Sequence, residues 1–239
     1  MLTGTLDRNR RERVQTDSGR LTVHRNHILT SPLGALPSPQ AYLVEQGPRE
    51  VLRSHFHFNS QFQVFVTGAG TIGRHEARPY LVQYASRQTG YGPITAGPTG
   101  LEYLTLRPTT IKDRAQYLPE SRDLAERDVP KRQVVSALVD VCRGDTASTL
   151  SAIIEPTTDG LGAWYVHLPA KGSCRAPELQ NGSGRFYVVV GGSLALPHGA
   201  LEALSVVWTD KDEPPLELRA DAEPLDVLVL QLPDNAWSL

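Results

Sequence analysis

The chain is built from short segments rich in Val, Leu, Tyr, Phe and Thr, and the 3.6-residue periodicity of amphipathic helices is almost absent. Its 20 glycines and 18 prolines separate these segments. Short strands at close spacing with turn residues between them are typical of β-sandwiches and β-barrels. The sequence therefore predicts an all-β fold. We expect strands at Leu21–Leu29, Ala41–Glu45, Val51–His57, Phe62–Thr67, Tyr80–Ser86, Leu101–Arg107, Thr149–Glu155, Ala163–Leu168, Phe186–Val190, Leu201–Trp208, Leu216–Arg219 and Asp226–Leu232.

An internal repeat indicates two copies of one fold. The segment Phe65–Gly68 resembles Val189–Gly192, and Leu101–Leu106 resembles Leu225–Leu230. Both pairs of segments are separated by the same 124 residues. Two matches at one offset favour a duplicated domain of about 100 residues.

The repeat divides the chain into three parts. Residues 1–108 are predicted to form an N-terminal barrel and residues 131–239 a C-terminal barrel. The segment 109–130 between them is highly charged and contains Pro119 and Pro130, which is typical of a linker. One helical turn is expected in its second half.

Composition excludes several classes of function. The formal net charge is -2, so nothing in the overall balance points to nucleic acid or to an anionic membrane. No apolar run is long enough for a transmembrane helix, and no secretory signal is expected. The two cysteines, Cys142 and Cys174, do not form a disulfide framework or a metal knuckle. We expect a cytoplasmic protein.

The third expected strand and the residues directly after it carry the most specific pattern. On a β-strand alternate side chains share a face, so His55 and His57 point the same way while Phe56 and Phe58 point the other way. Two imidazoles placed like this can reach one metal ion. Gln61, at the start of the next strand, can approach the same point.

These residues fit the first motif of the cupin superfamily. That motif is a histidine, any residue, a second histidine, three residues, usually a glutamate, then six residues and a glycine. His55, His57, Gln61 and Gly68 fall at this spacing, with glutamine in the place of glutamate.

The second cupin motif is also present in part. Gly92, Pro98 and Gly100 match its spacing, and Tyr103 stands where the motif has a histidine. Residues 40–108 thus resemble a cupin domain, and the second half resembles a degenerate copy. The resemblance implies a bicupin, with two double-stranded β-helix (jelly-roll) barrels, and a divalent metal in the first.

In cupins the metal is commonly held by three histidines and a glutamate, so the resemblance implies His55, His57, Gln61 and Tyr103 as ligands here. The ion would be iron, zinc, nickel or manganese. An amide oxygen is a weaker ligand than a carboxylate, and a tyrosine ligates only as phenolate or through water, so we expect weak binding. The alternative is a barrel that has lost its metal and uses the histidines to bind a ligand or to form hydrogen bonds.

Other residues are predicted to line the same cavity. Tyr103 is the candidate for proton transfer, and Gln61 for orienting substrate or water. Gln63, Arg107 and Tyr91 are candidate substrate-binding residues: Arg107 can pair with a carboxylate, and Tyr91 can stack on an aromatic substrate. A salt bridge at the barrel rim is the alternative role for Arg107.

The second copy lacks these groups. The positions 124 residues beyond the four motif residues are Leu179, Asn181, Arg185 and Val227, and none suits a metal site. The second barrel is therefore predicted to be structural or to supply an interface. A second expectation from the sequence is that the glycine-rich stretch Tyr91–Gly100 forms a loop.

The function predicted from these features is that of a small-molecule enzyme using one metal, with dioxygenase, isomerase, cyclase or lyase chemistry. The competing prediction is a metal-free cupin that binds or senses a small ligand without catalysis. We expect a homodimer, because cupins commonly pair through their sheets.

Overall fold

The computed structural model describes residues 1–29, 38–109, 114–139 and 147–236, so Cys142 lies outside the described residues. Within these ranges the regular structure is β-strand, apart from three single-turn 3-10 helices at Arg8–Arg10, Asp17–Gly19 and Arg122–Leu124. The all-β prediction is confirmed. None of the described helices has the length or apolarity needed to span a bilayer.

The strands are numbered along the chain. They are β1 (Leu2–Gly4), β2 (Glu12–Thr16), β3 (Leu21–Leu29), β4 (Gln40–Gln46), β5 (Val51–Leu52), β6 (His55–Phe56), β7 (Gln61–Ile72), β8 (His75–Ala77), β9 (Val82–Ala85), β10 (Ile94–Arg107), β11 (Gln116–Tyr117), β12 (Gln133–Val135), β13 (Thr149–Ile154), β14 (Gly162–Leu168), β15 (Ser173–Arg175), β16 (Gly184–Gly191), β17 (Ser193–Leu196), β18 (Gly199–Glu202), β19 (Val206–Asp210), β20 (Glu217–Arg219) and β21 (Leu225–Leu232).

The chain divides into two compact units, and neither is a continuous segment. The N-terminal unit comprises Asp7–Val135 together with Ala236, and the C-terminal unit comprises Met1–Leu6 together with Ser136–Asn235. These boundaries differ from the expected 1–108, 109–130 and 131–239. The difference arises from strand pairing, because β1 joins β19 in the C-terminal unit, whereas β12 joins β9 in the N-terminal unit.

A nine-stranded antiparallel sheet forms the N-terminal unit. Its order is β12-β9-β7-β10-β4-β3-β2, with β5 also paired to β10 and β8 to β7. Alternate residues of the central strands point to one face, so Tyr42 and Val44 of β4 and Tyr103 of β10 enter the same buried cluster as Phe65 of β7. This cluster surrounds the cavity described below.

Strand β10 begins at Ile94, so the prediction of a loop over Tyr91–Gly100 is wrong for most of that stretch. Its glycines allow a close approach of two strands. A Cβ on Gly70 of β7 would overlap the carbonyl oxygen of Thr95, and a Cβ on Gly97 would overlap that of Ala69. Glycine therefore serves here to let β7 and β10 pair closely rather than to reverse the chain.

The C-terminal unit has a six-stranded sheet in the order β1-β19-β16-β21-β14-β13 and two small two-stranded sheets, β15-β20 and β17-β18. Its buried cluster is composed of apolar side chains, among them Trp164, Tyr187, Val189, Val227 and Val229. Val227, the residue 124 positions beyond Tyr103, belongs to this cluster.

The internal repeat recurs in the backbone of the two units. The N–H of Phe65 donates to the carbonyl of Leu81, and 124 residues further on the N–H of Val189 donates to that of Ser205. In both units the acceptor carbonyl belongs to the last residue before a strand, β9 in one and β19 in the other. The shared pattern supports duplication, while the presence of two barrels in one chain stays a prediction.

Candidate functional site

One cavity in the N-terminal unit brings together every site residue predicted from the sequence. Its volume is about 40 Å³, which suits a ligand of a few heavy atoms. The predicted residues in its lining are His55, His57, Gln61, Gln63, Tyr91, Tyr103 and Arg107, and the additional ones are Thr16, Val23, Arg25, Tyr42, Val44, Leu52, Thr105 and Ala115.

The two histidines lie against each other at one side of the cavity. Their ring centroids are 5.2 Å apart with the rings nearly perpendicular. His55 Nδ1 is 2.7 Å from the carbonyl oxygen of Arg53, which can only accept, so Nδ1 carries the proton and Nε2 keeps its lone pair. Burial lowers the pKa of His55 to about 4, and burial followed by the charge of Arg107 lowers the pKa of His57 well below its usual value. Both imidazoles are therefore neutral at pH 7.

Gln61 is held by two buried partners. Its Oε1 accepts a hydrogen bond from Nε of Arg107 at 3.0 Å, and its Nε2 donates to the hydroxyl of Tyr91 at 2.6 Å. Because a guanidinium can only donate, this pairing fixes which end of the amide carries oxygen. The oxygen expected to ligate a metal thus already serves as the acceptor for Arg107.

Two of the tyrosines that line the cavity, Tyr91 and Tyr103, keep their protons. Burial raises the pKa of Tyr91 and of Tyr103 above the ordinary value for tyrosine. The ring of Tyr103 packs against Phe65 with centroids 5.4 Å apart. Tyr103 therefore presents a neutral hydroxyl to the cavity, and its phenolate is disfavoured.

Two arginines line the cavity, and only Arg107 was singled out from the sequence. Arg25, on β3, has a guanidinium 5.2 Å from the ring centroid of Tyr42, and that of Arg107 is 5.9 Å from the same ring. The Nε of Arg25 is buried and has no hydrogen-bond acceptor among the described residues. None of the described lining residues is an aspartate or a glutamate.

A chain of amides supports the remaining polar wall. Gln133 Nε2 donates to Gln83 Oε1 at 2.9 Å, and Gln83 Nε2 donates to Gln63 Oε1 at 3.0 Å. The acceptor of Gln63 is thereby engaged, which leaves its amide N–H groups for the cavity. The Nε of Arg25 and the hydroxyl of Tyr103 are further donors among the described lining residues.

Comparison with known proteins identifies the fold. No protein-family model matches the sequence, and no curated protein sequence matches it. A "putative dioxygenase" from Nostoc punctiforme PCC 73102 superposes with a TM-score of 0.63 at 10% identity, over 98% of this chain and 80% of that one. Oxalate decarboxylase from Bacillus subtilis gives 0.60 at 9% identity, over 98% and 78%. The coconut allergen cocosin gives 0.62 at 11% identity, over 98% and 86%.

This is the cupin fold. The predicted cupin resemblance is confirmed at that level, whereas a bicupin with a degenerate second barrel stays a prediction. At such low identities the likeness establishes fold alone. Its neighbours include an enzyme and an allergen, so the cupin fold by itself does not select a function.

A metal is nevertheless what this fold suggests, because the B. subtilis enzyme has Mn(II) centres and metal-dependent enzymes occur among the neighbours. The residues of this cavity do not fit a divalent cation. Gln61 offers its oxygen to Arg107, Tyr103 stays protonated, and two guanidinium groups oppose added positive charge. No group of three or more His, Cys, Asp or Glu side chains suited to a metal ion occurs among the described residues.

Proposed function

We propose that the N-terminal cupin unit binds a small anion, of the monocarboxylate class, directly and without a metal ion. The observation that carries this proposal is the pair of arginines, Arg25 and Arg107, on the lining of a small cavity whose histidines are neutral. The role is binding or sensing, the metal-free alternative predicted from the sequence.

The chemistry of the lining supports this ligand class. A guanidinium pairs with a carboxylate through two parallel N–H···O bonds, and such charge-assisted bonds are stronger than neutral ones. An anion would provide an acceptor for Arg25 and would offset the unfavourable burial of positive charge. The amide of Gln63 and the hydroxyl of Tyr103 add neutral donors around it.

The volume of the cavity limits which monocarboxylates can bind. A volume of about 40 Å³ accommodates formate or acetate but not an aromatic acid. One structural neighbour is named for its action on oxalate, which places a carboxylate ligand on this fold in another protein. The proposal for this chain depends on its own arginines.

Calorimetric titration of chelator-treated protein with acetate and formate tests the proposal. Acetamide, which has the shape of acetate without its charge, should not bind. Arg25→Gln and Arg107→Gln should each weaken acetate binding by about 10-fold or more, because each removes a charge-assisted contact. Arg11→Gln is the matched control, since Arg11 is half exposed and pairs with Glu45 away from the cavity.

The metal-dependent enzyme predicted from the cupin motifs gives the opposite results. Elemental analysis would find one iron, zinc, nickel or manganese ion per chain, and His57→Ala would remove it. Acetate binding that disappears on chelation, or that is unaffected by both arginine substitutions, would refute direct anion binding.

A further inference from the structure

A second space lies beside the cavity in the same unit. This outer basin has a volume of about 400 Å³. Ala115 lines both spaces, so the cavity and the basin share a wall at this residue. The basin is lined by Asp17, Arg20, Arg53, Ala115, Tyr117, Glu120 and Ser121.

The wall is completed by a pair of bonded hydroxyls. Thr16 lines the inner cavity, Tyr117 lines the basin, and their hydroxyl groups are hydrogen-bonded to each other. The hydroxyl of Tyr117 also accepts the backbone N–H of Asp17 at 2.9 Å. Tyr117 lies on β11, directly opposite His55 of β6, and the two rings are 5.7 Å apart.

Several contacts keep the Tyr117 ring in this position. The guanidinium of Arg53 lies 5.5 Å from its centroid. Arg53 is itself held by Glu120 through bonds of 2.6 and 3.1 Å, and by the carbonyl oxygen of Leu118 at 3.1 Å. The wall is therefore fixed from the basin side by an ion pair and from the cavity side by Thr16.

We infer that Tyr117 determines which anions the cavity accepts, by closing it off from the basin. The inference rests on the proposed function. With the ring in place, only an anion of a few heavy atoms fits beside the arginines. Without the ring, the cavity becomes continuous with about 400 Å³ of additional space, and a carboxylate with a large substituent can place its charged end at Arg25 and Arg107 and its substituent in the basin.

Binding of acetate and benzoate to the full chain tests the inference. Wild-type protein should bind acetate at least about 10-fold more tightly than benzoate. Tyr117→Ala should raise benzoate affinity by about 10-fold or more and change acetate affinity by no more than about 3-fold, because the arginines are untouched. Tyr117→Phe keeps the ring and loses only the hydroxyl, so it should retain the wild-type preference.

The possible failures are distinguishable. If wild-type protein binds neither acetate nor formate, the proposed function fails and the inference fails with it. If acetate binds and a folded Tyr117→Ala still excludes benzoate, only the role of Tyr117 is overturned. An equal gain of benzoate binding in Tyr117→Phe would also overturn the steric role.

If Tyr117→Ala does not fold, Tyr117→Leu is the second variant. It keeps an apolar group against His55 but removes the aromatic ring, and the same prediction applies.

Discussion

At the scale of single residues, two differences from the cupin motifs remove the anionic ligand groups that a metal ion would need. Gln61 is uncharged, and its oxygen accepts a hydrogen bond from Arg107. Tyr103 keeps its proton, because burial raises its pKa. Arg25 and Arg107 are the charged residues among the described residues that line the cavity. Under the proposed function, such a site binds an anion where a cupin with a carboxylate ligand would hold a cation.

The buried histidines predict loss of stability in acid. His55 titrates near pH 6.5 in the unfolded chain and at about 4 in the folded one, so between these values the unfolded state binds the proton and the folded state does not. The free energy of unfolding should fall by roughly 2–3 kcal/mol between pH 7 and pH 4.5, with His57 adding to the loss. Urea titrations at the two pH values measure this. His55→Asn should flatten the dependence, and an unchanged slope in that variant would contradict the assignment.

Tyr103 offers a second prediction at this scale. Tyr103→Phe keeps the ring against Phe65 and removes one neutral donor, so acetate affinity should fall by about 3- to 10-fold while the fold is retained. Ferric iron added to wild-type protein should give no phenolate charge-transfer band in the visible spectrum. The appearance of such a band, lost in Tyr103→Phe, would instead establish Tyr103 as a metal ligand.

At the scale of strands, the sequence predicted those that bury one face and missed those that are short or polar. Strand β3 falls where alternation placed it, but β2, with the sequence Glu-Arg-Val-Gln-Thr, has no apolar alternation to detect. The single strand expected at Val51–His57 is two, because β5 pairs with β10 whereas β6 pairs with β11. Such changes of partner depend on distant segments and leave no local signal.

The site shows the same division between local and distant information. His55 lies in β6, His57 directly follows that strand, and Gln61 and Tyr103 lie in β7 and β10. Fixed spacing and strand parity indicate a common face for them. Arg25 belongs to no motif, and it reaches the cavity because β3 pairs with β4. Tyr117 lies within the segment expected to be a linker. Neither could be found without knowing how the strands associate.

The close pairing of β7 and β10 gives a prediction about the glycines between these two strands. Gly68 has a φ of +80°, and a Cβ there would overlap the carbonyl oxygen of Gly100. Gly68→Ala should lower the free energy of unfolding by at least about 3 kcal/mol. Gly19 has a similar φ of +88° but open space around it, so Gly19→Ala should lower it by only roughly 1–2 kcal/mol. Equal losses, measured by denaturant unfolding, would show that the close approach of the strands is unimportant.

At the scale of the whole molecule, the C-terminal unit has a smaller space, of about 30 Å³, at the position that corresponds to the cavity. Gln231 stands 124 residues after Arg107, and its Nε2 donates to the carbonyl oxygens of Gly160, Leu179 and Asn181 at 3.1 to 3.2 Å. Its Oε1 accepts the N–H of Leu179 at 3.1 Å. Residues 179–181, which correspond to the histidine pair, are thus held by hydrogen bonds to Gln231 beside an apolar interior.

This arrangement predicts one binding site per chain. Titration of wild-type protein should give a stoichiometry of one acetate per chain. Asn181→Ala and Arg185→Ala should leave acetate affinity unchanged, although Arg185→Ala removes the ion pair of a buried guanidinium with the exposed Glu178 and should lower the melting temperature. A loss of affinity like that of Arg107→Gln would show that the C-terminal unit takes part in binding.

The pairing of β1 with β19 has a consequence for the order in which the protein can be completed during synthesis. Leu2 leaves the ribosome well before its partner Trp208, which follows about two hundred residues later. At typical elongation rates this is a delay of roughly 10–40 s. All strands of the nine-stranded sheet are translated within that time, so this sheet can assemble while the strand at the start of the chain still has exposed hydrogen-bonding groups. The edge at β19 closes only when two strands that are synthesised about two hundred residues apart meet.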